Sequence, residues 1–534
     1  MMILKNEEIL KRHLGGKVGV HLLRELETQE DLCIAYTPGV AEVCKAIEAE
    51  HSLANLYTAK GNLVAVVTDG TAVLGLGDIG PAASIPVMEG KAALFKRFGN
   101  LDAWPVPLDN VRVNGNTGKT DVNKFIEVTS AIAGMYGAIN LEDIAAPACF
   151  EIEDKLDAIL DIPVFHDDQW GTAIIVLAAV VNYCLLSNKS IEDLNIVING
   201  AGSAGIRIAD MLKQRGANYL TLLDSKGVLH KGRDDLNKHK QRFAIETTKV
   251  TLKDAMKGAN IFIGVSEAGC VTADMIKSMS DFPAIFAMAN PVPEIMPETV
   301  KAVMGDKPYV MATGRSDFPN QINNVLGFPY IFRGALDVRA LTISMDMKIA
   351  ASTALAELAR LGNVPEETKK AYGRVNFDFG SDYIIPVPFD PRLLDYVSSA
   401  VSIAALKGGV SKYQKDIEVS DIYHLPDLHE MDGTGAFIKA IIKELAFDRG
   451  ICYVGISAPN RDDVSYVPCD SEGVVIENDT QAYSKDIKIN PEKEPGKLLR
   501  TISQHIGQAR MLGIHKNGSL GNIAHLSGWC WDES

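Results

Sequence analysis

The sequence lacks the features that would mark a secreted, membrane or disulfide-rich protein. None of its eight cysteines forms a C-x-x-C pair, which argues against a zinc site or a disulfide framework and favours reduced thiols in the cytoplasm. The N-terminus, MMILKNEEILKRHL, has no continuous apolar region like that of a signal peptide. The longest apolar run, residues 173–186, is interrupted by Asn182 and Tyr183 and is shorter than the ~18 apolar residues typical of a membrane span. We therefore expect a core helix there, and no membrane partner.

Positive charge is also scarce. The chain has 53 Lys and Arg against 68 Asp and Glu, a formal net charge of -15. Such a chain is a poor non-specific ligand for nucleic acid, so we expect no nucleic-acid partner.

There is no internal repeat. Hydrophobic residues make up 47% and charged residues 23% of the 534 residues, which is a globular composition in a chain too long for one ordinary core.

Strand and helix patterns alternate along most of the chain. NLVAVVTDG (62–70) predicts a buried strand, which a glycine-rich loop connects to a helix from about Met88. An apolar helix is predicted over 172–186. From Asp193 onward, short apolar strands such as NYLTLLD, NIFIGVS and PAIFA alternate with helices. This alternation is typical of a doubly wound parallel sheet, so the expected fold class is α/β.

The pattern changes after about Gly409. The segments ICYVGIS, VSYVP and GVVIEN predict strands, and HEMDGTGAFIKAIIKELAFDRG and GKLLRTISQHIGQARMLG predict helices. We expect a small α+β domain over residues 410–534. It could sense a small ligand, or it could serve in oligomerisation or packing, which is the interpretation we favour.

A glycine motif predicts a dinucleotide-binding site. Gly200, Gly202 and Gly205 form G-x-G-x-x-G, with Ser203 and Ala204 inside it, after a predicted strand and at the start of a predicted helix. The first glycine permits the tight turn, and the second lets the backbone approach a pyrophosphate. The helix N-terminus then offers free N–H groups to the anion.

An acid stands where the ribose of a dinucleotide is expected. Asp224 ends the next predicted strand, 19 residues beyond Gly205, and an acid there can bond a ribose hydroxyl. Asp224 therefore favours NAD. Ser225 and Lys226 follow it and could equally meet the 2'-phosphate of NADP, so both cofactors stay open.

Four acids lie at the ends of predicted elements. Glu142 and Asp143 occur in NLEDIAAP, and Asp167 and Asp168 in FHDDQWGT. Carboxylates without His or Cys are hard oxygen ligands that suit Mg²⁺ or Mn²⁺ and not zinc. The alternative is that Asp167 or Asp168 only caps the helix from Thr172, and that the other pair is solvated.

Several other polar residues allow both a structural and a functional interpretation. Lys91 lies just inside a predicted helix among apolar residues. Desolvation there would lower its pKa and make it a usable base, whereas a snorkelling lysine is the alternative. Tyr36, in AYTPGV, by itself indicates a core tyrosine with a bonded hydroxyl. Asn290, Asn323 and Asn324 satisfy turns or bind a carboxylate.

Together these segments resemble malic enzymes of the shorter prokaryotic type. The matching segments follow the family's order over roughly residues 15–405: AYTPGVAEVC, GTAVLGLGDIGPAASIPVMEGKAALF, INLEDIAAPACFEIE, PVFHDDQWGT, NGAGSAGI, MANPVPE and TGRSDFPNQINNVLGFPYIFRGALDVRA. The resemblance implies an N-terminal α/β substrate and catalytic domain over residues 1–165. It implies a Rossmann-like NAD(P)-binding domain over 166–409, and leaves 410–534 as an extension of unknown role.

The resemblance also implies an activity, the oxidative decarboxylation of L-malate to pyruvate and CO₂ with reduction of NAD or NADP and with Mg²⁺ or Mn²⁺. Lys91 matches the family's general base, and Tyr36 matches the general acid that protonates C3. The other matches are the metal ligands Glu142, Asp143 and Asp168, the neighbouring Asp167, and the substrate and nicotinamide contacts Asn290 and Asn324. A homo-oligomer, a dimer or larger, is expected.

Two positions depart from the family's usual patterns. Members of this type usually carry His where Trp170 stands, so we expect the metal site to be retained but the packing over it to change. The Arg that longer, eukaryotic-type members carry after DG is absent, since Ala72 stands at about that place. Three alternatives remain: a malolactic-type enzyme, malate dehydrogenation without decarboxylation, and a regulatory protein with an inactive site.

Overall fold

The structure, a computed structural model, describes residues 6–73 and 75–412, together with four short strands nearer the C-terminus. The helices are α1 Asn6–Arg12, α2 Gln29–Ala35, α3 Val40–Ala49, α4 Ala54–Tyr57, α5 Gly80–Gly99, α6 Val122–Ile132, α7 Ala148–Ile159, α8 Asp167–Ser187, α9 Ser203–Gln214, α10 Lys238–Gln241, α11 Leu252–Met256, α12 Ala273–Lys277, α13 Pro297–Met304, α14 Phe328–Asp337, α15 Met345–Arg360, α16 Glu366–Tyr372 and α17 Arg392–Lys407.

The strands are β1 Leu63–Thr68, β2 Asp102–Pro107, β3 Arg112–Asn114, β4 Thr117–Thr120, β5 Ala138–Leu141, β6 Val164–His166, β7 Asn195–Asn199, β8 Tyr219–Asp224, β9 Gly227–Val228, β10 Ile261–Gly264, β11 Ala284–Ala287, β12 Val310–Thr313, β13 Tyr453–Ile456, β14 Ser465–Pro468, β15 Gly513–Ile514 and β16 Leu520–Gly521.

A four-stranded parallel sheet, in the order β2-β1-β5-β6, forms the first half of the fold. Every residue of β5 and all but the first residue of β1 are buried, as expected for parallel strands covered on both faces. The strand predicted over 62–70 is thus confirmed. The pairs Glu142–Asp143 and Asp167–Asp168 directly follow β5 and β6. Because these parallel strands are neighbours, both pairs leave the sheet at the same edge.

A second, six-stranded sheet follows in the order β12-β11-β10-β7-β8-β9. All its neighbouring strands are parallel except β9, which pairs antiparallel with β8. The chain leaves β7 to form β8 on one side and later returns to form β10 on the other. The carboxyl end of β7 is therefore a topological switch point, where such sheets bind ligands. The expected doubly wound α/β fold is confirmed.

The long apolar helix α8 lies in the core. Among the described residues it is the one helix long and apolar enough to cross a membrane, but 14 of its 21 residues are buried within the protein. The prediction of a core helix is confirmed, whereas its predicted start at 172 is wrong. The helix begins at Asp167, and its N-cap, His166, makes no side-chain capping bond. Asp167 and Asp168 therefore belong to the first turn and do not cap a helix that begins later.

The start predicted for α5 is also wrong. This helix begins at Gly80 instead of near Met88, with Pro81 in its first turn, where a missing N–H costs no intrahelical bond. Pro86 lies inside the helix. It removes one backbone hydrogen bond there but does not end the helix. The earlier start carries Lys91 into the middle of α5, where the helix packs against β1 and β2.

The chain returns to the first sheet after the second is complete. Phe328 and Phe332 of α14 pack edge-on against Phe95 of α5, with ring centres 4.8 and 5.1 Å apart. The helices α15 and α17 then pack on each other, on α14 and, for α15, on α8. These contacts join the two sheets through α8 and α14. The boundaries at 165 and 409 stay a prediction.

Of residues 413–534, only short strands are described. β13 pairs antiparallel with β14, and β15 with β16. β13 and β14 fall within the segments ICYVGIS and VSYVP, which were expected to form strands. The predicted strand GVVIEN and both predicted helices lie outside the described residues, so the α+β domain over 410–534 stays a prediction.

Candidate active site

A buried lysine meets the acids that follow β5 and β6. Lys91 Nζ lies 2.5 Å from Asp167 Oδ2 and 2.8 Å from Glu142 Oε1. It also lies 4.2 Å from the ring centre of Phe328. The side chain is only 10% exposed, so its ammonium is enclosed along with its stem. The snorkelling interpretation of Lys91 is therefore wrong.

Charge pairing decides the protonation of Lys91. Burial by itself lowers the pKa of this lysine, but the negative charges of Asp167, Glu142 and Asp168, with the hydrogen bond to Asp167, raise the pKa above its usual value. The expectation of a lowered pKa is wrong for the chain by itself, in which Lys91 is an ammonium ion. To act as a base, the lysine needs another cation to offset these carboxylates.

Three carboxylates converge beside Lys91. One oxygen from each of Glu142, Asp143 and Asp168 lies within 4.8 Å of the other two. Asp143 has φ +54°, and its backbone N–H donates to Asp168 Oδ2 over 2.7 Å. Asn140 Nδ2 donates to Glu142 Oε2 over 2.8 Å. The turn after β5 and these two bonds hold the acids together against their mutual repulsion.

The chemistry of this cluster fits a divalent cation. Burial, and then the neighbouring carboxylates, raise the pKa of Glu142 well above its usual value and that of Asp168 to about 6, although Lys91 lowers both. Asp167 Oδ1 is buried without a hydrogen-bond partner among the described residues. A set of crowded, hard oxygen donors with uncompensated charge suits Mg²⁺ or Mn²⁺. The three predicted metal ligands are therefore brought together.

Asn324 joins the same group. Its Nδ2 donates to Asp167 Oδ2 over 3.0 Å and to the Asp167 carbonyl oxygen over 3.3 Å. Its Oδ1 accepts a hydrogen bond of 2.8 Å from the Thr172 hydroxyl. Asn324 thus binds a carboxylate, but that carboxylate is Asp167, and the amide fixes the first two turns of α8. The sequence had indicated Thr172 only as a helix start and not as a partner of Asn324.

The glycine motif forms a tight turn between β7 and α9. Gly200 has φ +120°, and a Cβ there would lie 2.4 Å from the Val265 carbonyl oxygen. A Cβ on Gly205 would lie 1.9 Å from the Gly200 oxygen, whereas one on Gly202 would meet nothing within 4 Å. The outer glycines are therefore required by packing, and the middle one faces open space. That space, at the N-terminus of α9 with Ser203 and Ala204, is where a pyrophosphate would lie.

Asn290 lies between the two halves of the protein. It follows β11, and its Nδ2 lies 2.9 Å from the place a Cβ on Gly314 would take. Its backbone oxygen lies 3.8 Å from a Cβ built on Gly75, in the loop after β1. Asn290 thus stands where a loop of the nucleotide sheet meets a loop of the carboxylate sheet, and its contact with substrate and nicotinamide stays a prediction.

Asp224 ends β8 as predicted, but both oxygens of its carboxylate already accept hydrogen bonds from other residues of the chain. Oδ1 accepts hydrogen bonds from Arg233 Nη1 (2.8 Å) and the Lys226 backbone N–H (3.0 Å). Oδ2 accepts from Arg233 Nη2 (3.0 Å) and Lys240 Nζ (2.7 Å). Burial opposes ionisation, but these bonds lower the pKa of Asp224 to about 2. Arg233 and Lys240 were missed, although the basic run over 226–242 was a readable signal.

Trp170 lies in a buried group of charges that the sequence did not reveal. Its Nε1 donates to Glu153 Oε2 over 3.0 Å, and its ring centre lies 4.4 Å from Arg207 Cζ and 4.1 Å from Lys348 Nζ. Glu153 Oε1 accepts from the His166 backbone N–H over 2.8 Å. Trp170 therefore connects helices α7, α8, α9 and α15 directly behind the acids.

Tyr36 is the one predicted site residue that lies outside the candidate sites in the single chain. Its side chain is 68% exposed, although the sequence alone had indicated a core tyrosine. No residue between 6 and 50 is buried. The same segment exposes many large apolar side chains, among them Leu10, Leu14, Val20, Leu22, Leu23 and Ile34.

The fold and these sites define a class. A nucleotide-binding sheet with a glycine-rich turn stands beside a carboxylate-rich sheet with a buried lysine, as in NAD(P)-dependent oxidoreductases that act on small hydroxy acids. Comparison with known sequences is more specific. Residues 15–157 match the malic enzyme N-terminal domain, and residues 170–373 match the malic enzyme NAD-binding domain. The chain belongs to the malic enzyme family.

Individual relatives of this chain also carry malic enzyme names. The NADP-dependent malic enzyme of Halomonas elongata is 50% identical over 401 residues, which cover 75% of this chain and 92% of that protein. The bifunctional malic/malolactic enzyme of Bacillus subtilis is 47% identical over 419 residues, 77% of this chain and 96% of that protein. The probable NADP-dependent malic enzyme of Rickettsia prowazekii is 51% identical over 407 residues and 76% of this chain, but the chain spans only about half, 51%, of its length.

A solved structure shows the same fold. The crystal structure of the Entamoeba histolytica malic enzyme aligns with a TM-score of 0.69 and 38% sequence identity, over 78% of this chain and 84% of that one. The two-sheet arrangement described above is therefore that of the malic enzyme family.

Proposed function

We propose that this chain oxidises and decarboxylates L-malate to pyruvate and CO₂, with NAD or NADP as the hydride acceptor and Mg²⁺ or Mn²⁺ as the metal. The observation that carries the proposal is the contact of Lys91 with Asp167 and Glu142 beside the converging oxygens of Glu142, Asp143 and Asp168. The names of the Halomonas and Rickettsia relatives favour NADP.

Each residue has a role that its position supports. Glu142, Asp143 and Asp168 would hold the metal. When bound, a divalent ion supplies Lewis-acid stabilisation of the negative charge that develops on the malate C2 oxygen. With an ion held there, the carboxylates around Lys91 would be offset and the pKa of this lysine would fall toward the range of a usable base.

The proton and hydride steps use two side chains. Lys91 takes the C2 hydroxyl proton as hydride passes from C2 to the nicotinamide. The bond from C3 to the departing carboxylate then breaks, CO₂ leaves, and the electron pair remains as the enolate of pyruvate. Tyr36 protonates that enolate at C3. Asn290 holds the substrate against the nicotinamide, and Asn324 fixes Asp167 next to Lys91.

The exposure of Tyr36 makes a homo-oligomer part of the proposal. Tyr36 is 68% exposed on a segment without a buried residue, whereas Lys91 is enclosed by Asp167, Glu142 and Phe328. We infer that residues 6–50 pack on a second copy of the chain and deliver Tyr36 to it. The apolar side chains exposed along this segment support such an interface. A cytoplasmic location, supported by the free thiols, completes the proposal.

The test is malate-dependent reduction of each cofactor, followed by absorbance of the reduced nicotinamide with Mn²⁺ or with a chelator. We expect turnover only with the metal and almost none with Lys91→Ala. Absence of turnover with either cofactor in the presence of Mn²⁺ would refute the proposal.

A malolactic activity is the second candidate. It is supported by the bifunctional name of the Bacillus subtilis relative. The two candidates differ in product, because the malolactic reaction forms lactate without net reduction of the cofactor. Lactate formed in amounts equal to the malate consumed, without reduced cofactor, would favour this second candidate over the first.

A further inference from the structure

Arg207 connects the helix after the glycine turn to the segment that carries the acids. The helix α9 begins at Ser203, and Arg207 lies one turn further along it. Its Nε donates to Gln169 Oε1 over 2.8 Å, and Gln169 directly follows Asp168 in α8. Since Gln169 is fully buried, its oxygen has no bulk water to take the place of this donor.

The same guanidinium also contacts the chain before the two acids. Arg207 Nη2 lies 3.5 Å from Glu153 Oε2. The other oxygen of Glu153 accepts a hydrogen bond of 2.8 Å from the His166 backbone N–H, and His166 directly precedes the acids. Arg207 is therefore bonded to the first turn of α8 on both sides of the acid pair, directly through Gln169 and indirectly through Glu153.

Aromatic rings and a further acid hold the guanidinium in place. Arg207 Cζ lies 4.4 Å from the ring centre of Trp170 and 5.1 Å from that of Phe150. Its Nη1 lies 3.5 Å from Asp210 on the next turn of α9. The side chain is only 10% exposed. A planar guanidinium held by two rings and three polar partners has little freedom left, so we expect it to move together with α9.

The two proposed ligands lie at the two ends of this connection. A pyrophosphate on the glycine turn would accept hydrogen bonds from the N-terminus of α9, and a divalent ion would be held by Asp168 in the first turn of α8. Residues that orient metal ligands commonly contribute about 10–100-fold to metal affinity. A ligand that orders one end of the connection reduces the ordering that the other ligand must still supply.

We propose that Arg207 is a positioning residue that couples the two sites, so that a nicotinamide dinucleotide strengthens Mn²⁺ binding at Asp168. The metal then strengthens nucleotide binding by the same factor, because coupling between two binding equilibria is reciprocal. The inference rests on the proposed function for the places of both ligands. It adds a role for Arg207, which the sequence did not single out, and for Trp170 as the ring that Arg207 contacts.

Calorimetry tests the inference without turnover. Mn²⁺ binding to the full chain is measured with and without saturating NADP, and again with NAD, in the absence of malate. The heat of Mn²⁺ binding to each nucleotide without protein is subtracted. Coupling between sites commonly corresponds to factors of about 5–150, so we expect at least about fivefold tighter Mn²⁺ binding when the nucleotide is present.

Two substitutions of Arg207 test its part in this effect. Arg207→Met should weaken Mn²⁺ binding about tenfold and remove the effect of the nucleotide. Arg207→Lys keeps the charge but lacks the fork that reaches Gln169 and Glu153 together, so it should also lose the effect. If Arg207→Met does not fold, Arg207→Lys decides. A role in packing alone would lower the melting midpoint and leave the ratio of the two Mn²⁺ affinities unchanged.

Arg242→Met is the matched control, since it removes another arginine that pairs with Asp210. Arg242 is 44% exposed and donates to Asp210 Oδ2 at 2.5 Å and to the His239 carbonyl oxygen at 3.3 Å. This variant should keep the wild-type ratio of Mn²⁺ affinities with and without nucleotide.

The outcomes separate this inference from the proposed function. Equal Mn²⁺ affinity with and without nucleotide in the wild type, or a nucleotide effect that survives in Arg207→Lys, would overturn the inference. The proposed function would still stand if the wild type turned malate over. Failure of the wild type to bind Mn²⁺ at all would overturn the proposed function and the inference with it.

Discussion

Trp170 allows a direct test of the buried charges behind the site. Trp170→Phe keeps an aromatic ring against Arg207 and Lys348 but removes the indole N–H that Glu153 accepts at 3.0 Å. Glu153 then keeps the His166 backbone N–H and Arg207 as donors, the latter at 3.5 Å. A buried carboxylate thus loses one of its two short hydrogen bonds.

The expected cost follows from these contacts. Removing one partner of a buried charged acceptor costs about 1–3 kcal/mol, and a phenyl ring attracts the two cations less than an indole does, by a few tenths of a kcal/mol each. We expect the free energy of unfolding to fall by about 2 kcal/mol. That corresponds to a fall of about 4–8 °C in the melting midpoint for a cooperative unit of 150–250 residues.

The assay is thermal unfolding followed by far-ultraviolet circular dichroism, which does not depend on tryptophan fluorescence. Trp104→Phe is the matched control, because Trp104 on β2 is 43% exposed and surface substitutions stay within about 0.5 kcal/mol. Equal shifts for the two variants would refute the reasoning. Since Glu153 also holds the His166 backbone directly before Asp167, Trp170→Phe should in addition weaken Mn²⁺ binding in a calorimetric titration.

Four other outcomes are expected. Lys91→Ala should lower kcat about 10²–10⁴-fold, while adenosine nucleotides still bind to the variant in calorimetry. Loss of nucleotide binding together with activity would instead indicate that the variant is misfolded. Asp168→Asn should raise the Mn²⁺ concentration needed for half-maximal rate, and an unchanged Mn²⁺ titration would exclude Asp168 as a ligand. Co-expressing Tyr36→Phe with Lys91→Ala should restore about a quarter of the activity if a second copy supplies Tyr36, and none if it does not. Asp224→Asn should lower the melting midpoint near pH 7, but less as pH falls below about 4, because stability from a carboxylate with a folded pKa of about 2 is complete above its unfolded pKa of about 3.9 and is lost toward pH 2.

The positions of the acids at the ends of elements could be predicted from the sequence, whereas their grouping into one metal site was implied only by the resemblance to malic enzymes. Glu142 and Asp143 follow β5, and Asp167 and Asp168 follow β6, so adjacent parallel strands bring them to one edge. The glycine turn could be predicted because the G-x-G-x-x-G motif is compatible with few local backbone conformations.

The helix starts and the charge partners could not be predicted in the same way. The sequence predicted a start of α5 near Met88, but the helix begins at Gly80 and continues past Pro86, since a helix can continue past one missing hydrogen bond. The pairing of Lys91 with Asp167 spans 76 positions, and Trp170 meets Lys348 from a distant helix. Periodicity carries no information about such contacts. The sequence therefore suggested desolvation as the main effect on Lys91, when the acids that surround it in space are decisive.

Two carboxylates of this chain show why residue type alone does not assign a site. Asp168 has its pKa raised to about 6, first by burial and then by Asp167, despite Lys91. Asp224 has its pKa lowered to about 2, because Arg233 and Lys240 outweigh its partial burial. The first acid lies in a group with too little positive charge, which a divalent cation would complete. The second lies between the cations Arg233 and Lys240, which hold it ionised. The same residue type thus has opposite proton affinities in the two places, because the charges that surround each carboxylate in space differ in sign.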